Sequence, residues 1–120
     1  MINPFFLNNG PFNYSEIVKL LNVDIDKKDF DQKIIDIKDL ATSKENEITF
    51  FHSKKYKNFA KHTKASFCIT TESLKQELNN SCKPIIVENV LVSTSLVTAK
   101  FYPTSIDDKF DDTVNKIVDT

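Results

Sequence analysis

The apolar positions of this chain change their spacing several times along its length. Ile17, Val18, Leu20 and Leu21 recur at helical intervals, and Asn13 with Glu16 three residues later forms a capping box ahead of them. The spacing predicts a short helix that ends at Asn22. Before it, Asn8-Asn9-Gly10-Pro11 reads as a turn that uses the only glycine, and Pro4-Phe5-Phe6-Leu7 as a short apolar start. Residues 23–32 are acidic and polar, and read as a short strand and loop. Ile34, Ile35 and Ile37 alternate with Asp36 and Lys38, predicting a strand that Leu40 and Ala41 close. After a polar loop, Ile48 to Phe51 form the next strand. Tyr56, Phe59 and Ala60 stand at helical spacing within 54–64, with lysines on the other face. A buried strand follows over 65–70, then a helix over 72–79 with Leu74 and Leu78 four apart. Residues 84–88 read as a strand, and Asn89 caps a last helix that Pro103 ends. Strand and helix thus alternate, which argues for an α/β fold: a small mixed or partly parallel sheet with flanking helices.

Beyond Pro103 the pattern changes. Asp107, Asp108, Asp111 and Asp112 crowd into six residues among few apolar groups. The division expected is therefore an α/β domain over 1–103 and an acidic linker over 104–120. A chain of 120 residues can bury a core without staples, and 40% hydrophobic with 28% charged residues fits a soluble globular protein. The net charge of −1 argues against nucleic acid held by bulk electrostatics. All 16 cationic residues are lysines, so no Arg fork is available for phosphate. A single glycine excludes glycine-rich phosphate loops. No apolar run reaches the ~18 residues of a membrane span, and Met1-Ile2-Asn3-Pro4 lacks a signal-peptide pattern, so the expected compartment is the cytoplasm. Cys68 lies in an apolar run and reads as a buried hydrophobe, whereas Cys82 falls in a polar loop beside Lys83 and Pro84. Neither the cysteines nor His52 and His62 have metal-site spacing, so no metal is expected.

The stretch from Glu47 to Tyr56 carries the most chemical information. It reads as a strand, a sharp turn and a basic helix start, with Phe50 and Tyr56 on either side of the turn. Such a corner can hold a flat base between rings and an anion near a helix start. The same residues also suit two core aromatics and a solvated lysine face. Lys54, Lys55, Lys57, Lys61 and Lys64 concentrate positive charge beside the corner, which suits a diphosphate or an acidic partner as well as plain solvation. His52 can serve as a base, bind a ligand, or stand idle in an exposed loop. No serine sits in a nucleophile elbow, and the acidic clusters lie in polar segments that offer no burial to separate carboxyl pKa values. No catalytic residue is assigned.

Eight short matches in order carry a resemblance: Phe5-Phe6, Gly10-Pro11-Phe12, Glu16-Ile17, Ile48-Thr49-Phe50-Phe51, Lys55-Tyr56, Thr63-Lys64-Ala65-Ser66, Val87-Glu88-Asn89 and Phe101-Tyr102-Pro103. Together, over residues 3–103, the chain resembles the N-terminal domain of UDP-3-O-(3-hydroxyacyl)glucosamine N-acyltransferases, the LpxD family of lipid A biosynthesis. The resemblance implies a domain that binds the uridine of a UDP-sugar, with uracil stacked between the positions that are Phe50 and Tyr56 here. The family commonly carries an Asn in this turn, an Asp before it and often a Pro after it; this chain reads Ser53, His52 and Lys54 there. His52, Ser53 and Lys55 are then the candidates for polar or phosphate contacts. The resemblance further implies a following β-helix of hexapeptide repeats that holds the catalytic His and forms a homotrimer, with the isolated piece a monomer. It implies UDP-acylglucosamine as substrate, acyl carrier protein as acyl donor, and no cofactor. The repeats are not in this chain, so the 120 residues alone are expected to be inactive. The alternative is a non-catalytic module whose lysine helix docks an acidic protein such as acyl carrier protein. A weaker reading, the UDP-binding domain of a peptidoglycan ligase, shares the fold.

Overall fold

Residues 7–24, 28 and 31–103 are described by a computed structural model. Four short strands, β3 (Asp36–Ile37), β4 (Glu47–Phe50), β5 (Phe67–Thr70) and β6 (Lys83–Ile86), pair side by side in chain order, all parallel. A second, antiparallel pair joins β1 (Phe12–Asn13) to β2 (Lys33–Ile34). Helices α1 (Tyr14–Leu20), α2 (Lys57–His62) and α3 (Val90–Phe101) complete the order. This is the α/β arrangement that the alternation predicts.

Both faces of the parallel sheet are covered, and the two-residue period of a strand decides which residue goes where. Ile48, Phe67, Ile69 and Ile85 turn to one face and join Ile17 and Val18 of α1 and Val90, Val97 and Phe101 of α3. Phe51 and Cys68 turn to the other and join Ala60 of α2, Leu78 and Cys82. The register sets Ile48 beside Phe67 and Phe50 beside Ile69, so the α1/α3 face is apolar across these strands, while Thr49 and Thr70 are buried polar residues of the other face.

Local chemistry fixes the element ends. The Glu16 carboxylate accepts from the Asn13 backbone N–H at 2.8 Å, the reciprocal half of the capping box. Asn89 Oδ1 accepts from Val92 N at 3.1 Å and starts α3. The two left-handed residues are Asn22 (φ 57°) and Asn46 (φ 69°), asparagine tolerating this region better than other side chains. Gly10 is needed for a different reason. A Cβ there would lie 2.7 Å from Phe101 Cε1, so the turn packs its backbone directly on the end of α3.

Several expectations change in the structure. The helix expected over 72–79 is a single 3-10 turn, Lys75–Glu77. Asn79 explains this: its N–H bonds Ala60 O at 3.0 Å and its side-chain amide bonds Thr63 O at 3.1 Å, which pulls the chain out of helix at Leu78. A helix this short cannot compete with such tertiary bonds. The helix expected over 54–64 is a 3-10 turn, Lys54–Tyr56, followed by the six residues of α2. The single strand expected through Ile34 to Ala41 is split. Ile34 pairs with β1 and Ile37 with β4, and Asp39 Oδ1 accepts from Thr42 N and Oγ1 to turn the chain afterwards. Cys82 does lie in a loop, the bend just before β6, but it is buried there because it packs into the same core as Cys68; both thiols are free. The apolar start at Pro4–Phe6, part of the 23–32 reading, and the acidic linker over 104–120 lie outside the described residues.

Candidate functional site

A cavity of about 320 Å³ opens at the carboxyl ends of β3 and β4. Open parallel sheets commonly bind ligands at this end, where the strands stop and the loops diverge. Phe50, His52, Tyr56 and Phe59 from the end of β4 onward, and Asp39, Leu40 and Ala41 from the turn after β3, line it. Its volume falls in the small-ligand range, and apolar walls with few polar groups are typical of such sites.

Each wall follows from the chain's local path. Phe50 ends β4 on the face opposite Phe51, so Phe51 is fully buried while Phe50 stays half-buried at the strand end. The Phe51 N–H bonds Ile69 O at 2.9 Å, and the buried Thr70 hydroxyl bonds Phe51 O at 2.8 Å. These anchors fix the backbone immediately before the turn. Ser53 then caps the 3-10 turn, its Oγ accepting from Lys55 N at 3.3 Å and its carbonyl from Tyr56 N at 3.0 Å. The turn brings Tyr56 back over the strand end.

Phe50 and Tyr56 therefore reach one cavity, without ring-to-ring contact between them. The ring that meets Tyr56 is His52, at 5.4 Å between centroids and tilted by 45°. His52 lines the cavity and is exposed. Ser53 is engaged as the cap of the turn and is not part of the cavity wall. Lys55 extends its ammonium over the Tyr56 ring, 5.5 Å from its centroid, a cation–π contact. Lys54, Lys57, Lys61 and Lys64 are exposed around this corner.

Four wall positions were not among the sequence candidates: Asp39, Leu40, Ala41 and Phe59. Asp39 is the anionic group of the wall. Its bonds from Thr42, side chain first and backbone second, hold its carboxyl below the usual carboxylate range, so it is ionised near neutrality. Phe59, 54% exposed, also lines an adjoining groove with Asn58 and His62, where His62 Nδ1 donates to Asn58 O at 2.8 Å. Asp39 precedes Phe50 by eleven positions and meets it only because β3 and β4 pair in parallel. Among the described residues no three His, Cys, Asp or Glu side chains converge as a metal site, and no helix is long and apolar enough to cross a membrane.

A profile of the family described as UDP-3-O-(3-hydroxymyristoyl) glucosamine N-acyltransferase, LpxD, matches residues 31–100. Among characterised proteins, the chain is 34% identical over 100 residues to the UDP-3-O-acylglucosamine N-acyltransferase of Rickettsia prowazekii (strain Madrid E), covering 82% of this chain and 29% of that protein. The same enzyme of Rickettsia typhi (strain ATCC VR-144 / Wilmington) is 33% identical over the same shares. That of Rickettsia bellii (strain RML369-C) is 31% identical over 115 residues, 88% of this chain and 34% of the relative. The chain thus spans about a third of the length of the relatives it matches.

Proposed function

This chain belongs to the LpxD family of UDP-3-O-acylglucosamine N-acyltransferases, and we propose that it is the part of such an enzyme that holds the uridine of the UDP-sugar. The observation that carries the reading is the cavity at the end of β4, which Phe50 and Tyr56 line from opposite sides of one turn. Uracil lies flat between these rings, each stack contributing on the order of 1–3 kcal/mol. His52, beside Tyr56, offers a ring nitrogen to the base edge. The lysines around the corner, Lys55 among them, draw the diphosphate by their field rather than by a forked contact. The whole enzyme transfers a 3-hydroxyacyl chain from acyl carrier protein to the glucosamine amine in lipid A synthesis, in the cytoplasm and as a trimer. The present residues bind and orient the nucleotide end and do no chemistry, so the purified 120-residue chain binds uridine weakly and does not acylate.

Calorimetric titration with uridine and UDP tests the reading. Phe50→Ala and Tyr56→Ala, each with an unchanged far-UV spectrum, are expected to lose about tenfold or more in affinity. Affinity unchanged in both variants removes the base clip.

A second reading has one observation in its favour. The exposed lysines of the corner suit an acidic protein, and binding of acyl carrier protein that survives Phe50→Ala but vanishes in high salt would select it.

A further inference from the structure

We propose that Asp39 reads the ribose of the bound nucleoside: its carboxylate accepts hydrogen bonds from the 2′- and 3′-hydroxyls of the sugar whose base lies between Phe50 and Tyr56. The inference rests on the uridine reading above and names the group that orients the ligand in the same cavity.

Four observations carry it. Asp39 lines the same cavity as Phe50, His52 and Tyr56, so a nucleoside whose base is held by the rings has this carboxylate in the same cavity. Both bonds from Thr42, at 2.9 Å from its N–H and 2.8 Å from its hydroxyl, go to Oδ1. They hold the side chain in place, with a further backbone bond from Ala41 to the carboxylate, and a carboxylate's two oxygens together keep acceptor sites for a diol. The remaining groups from the turn after β3, Leu40 and Ala41, bring no side-chain acceptor. A vicinal diol presents two donors to one carboxylate, and a parallel sheet that offers an acid to a ribose at its strand ends is a recurring solution.

Charge decides between ribose and phosphate. A carboxylate held ionised repels a diphosphate and accepts from neutral hydroxyls. The diphosphate is therefore directed away from Asp39, toward the lysines that follow the turn. Base, ribose and phosphates are thereby ordered across the site by Tyr56, Asp39 and the lysine-rich corner.

The test compares uridine with 2′-deoxyuridine by calorimetry on the purified chain. The unaltered protein is expected to prefer uridine by about tenfold, since a site that pairs a hydroxyl penalises its loss. Asp39→Asn keeps an acceptor for Thr42 and removes the charge and one acceptor oxygen; it should bring the preference to below about twofold, with affinity for 2′-deoxyuridine, which keeps its 3′-hydroxyl, falling less than that for uridine. Thr42→Val, which removes one of the two bonds to Oδ1 but keeps the carboxylate, should retain a preference for uridine. Equal binding of the two nucleosides by the unaltered protein, or an undiminished preference in Asp39→Asn, overturns the role of Asp39 and leaves the base clip standing. Failure of both nucleosides to bind removes the clip and this inference together.

Discussion

Tyr102 shows how one side chain ties the last helix to the edge of the sheet. Its hydroxyl donates to Asp36 Oδ1 in β3. Burial first, and the Asp36 carboxylate second, push its phenol from about 10 up to about 12. A raised folded-state value means that the neutral phenol is the form the fold favours. Its contribution is fully present below the unfolded value near 10 and is lost as pH rises toward 12. The stability gap between the natural chain and Tyr102→Phe, read from urea midpoints, should be constant near neutrality and narrow between about pH 10 and 12. A gap that widens over that interval is incompatible with this assignment. Legibility also divides at this scale. Phe50 and Tyr56 are visible in the sequence because six positions and one turn separate them. Asp39 is not, because an acid in a polar segment looks the same whether it faces water or a ligand.

The elements were legible wherever their own residues close their ends. Asn89 and Pro103 bracket α3 in the sequence, and the helix runs from Val90 to Phe101. Replacing Asn89 by Ala removes the acceptor for Val92 N and should cost about 1 kcal/mol in urea denaturation. Asn89→Asp, which keeps the acceptor, should restore most of it. Elements set by distant partners were not legible. The four-residue spacing of Leu74 and Leu78 predicts a helix, and both residues do face a core. Asn79, bonded to Ala60 and Thr63, nevertheless ends the turn after three residues. Edge strand β6 carries Pro84, which cannot donate to a fifth strand.

Across the whole molecule, one four-stranded sheet separates two apolar layers, so neither layer can melt without releasing the strands that the other needs. Ile85→Val on the α1/α3 side should cost about 0.5–1.5 kcal/mol and Leu78→Ala on the α2 side about 2–5 kcal/mol. Both should move the same single transition, followed by far-UV and by tyrosine signals. Two separate transitions in Leu78→Ala would show that the layers are independent. By itself, the sequence determined the α/β class with a partly parallel sheet, the helix caps, the absence of Arg forks and glycine loops, and the family resemblance. All of these depend on residue identity and on spacing along a few turns, which local sterics and hydrogen bonding fix. Only the tertiary structure decided the splitting of β2 from β3, the loss of the helix before β6, the burial of Cys82 and the arrival of Asp39 in the cavity that Tyr56 lines. Those depend on which strands lie side by side, and pairing between distant segments is set by the packing of the whole sheet rather than by any one stretch of chain.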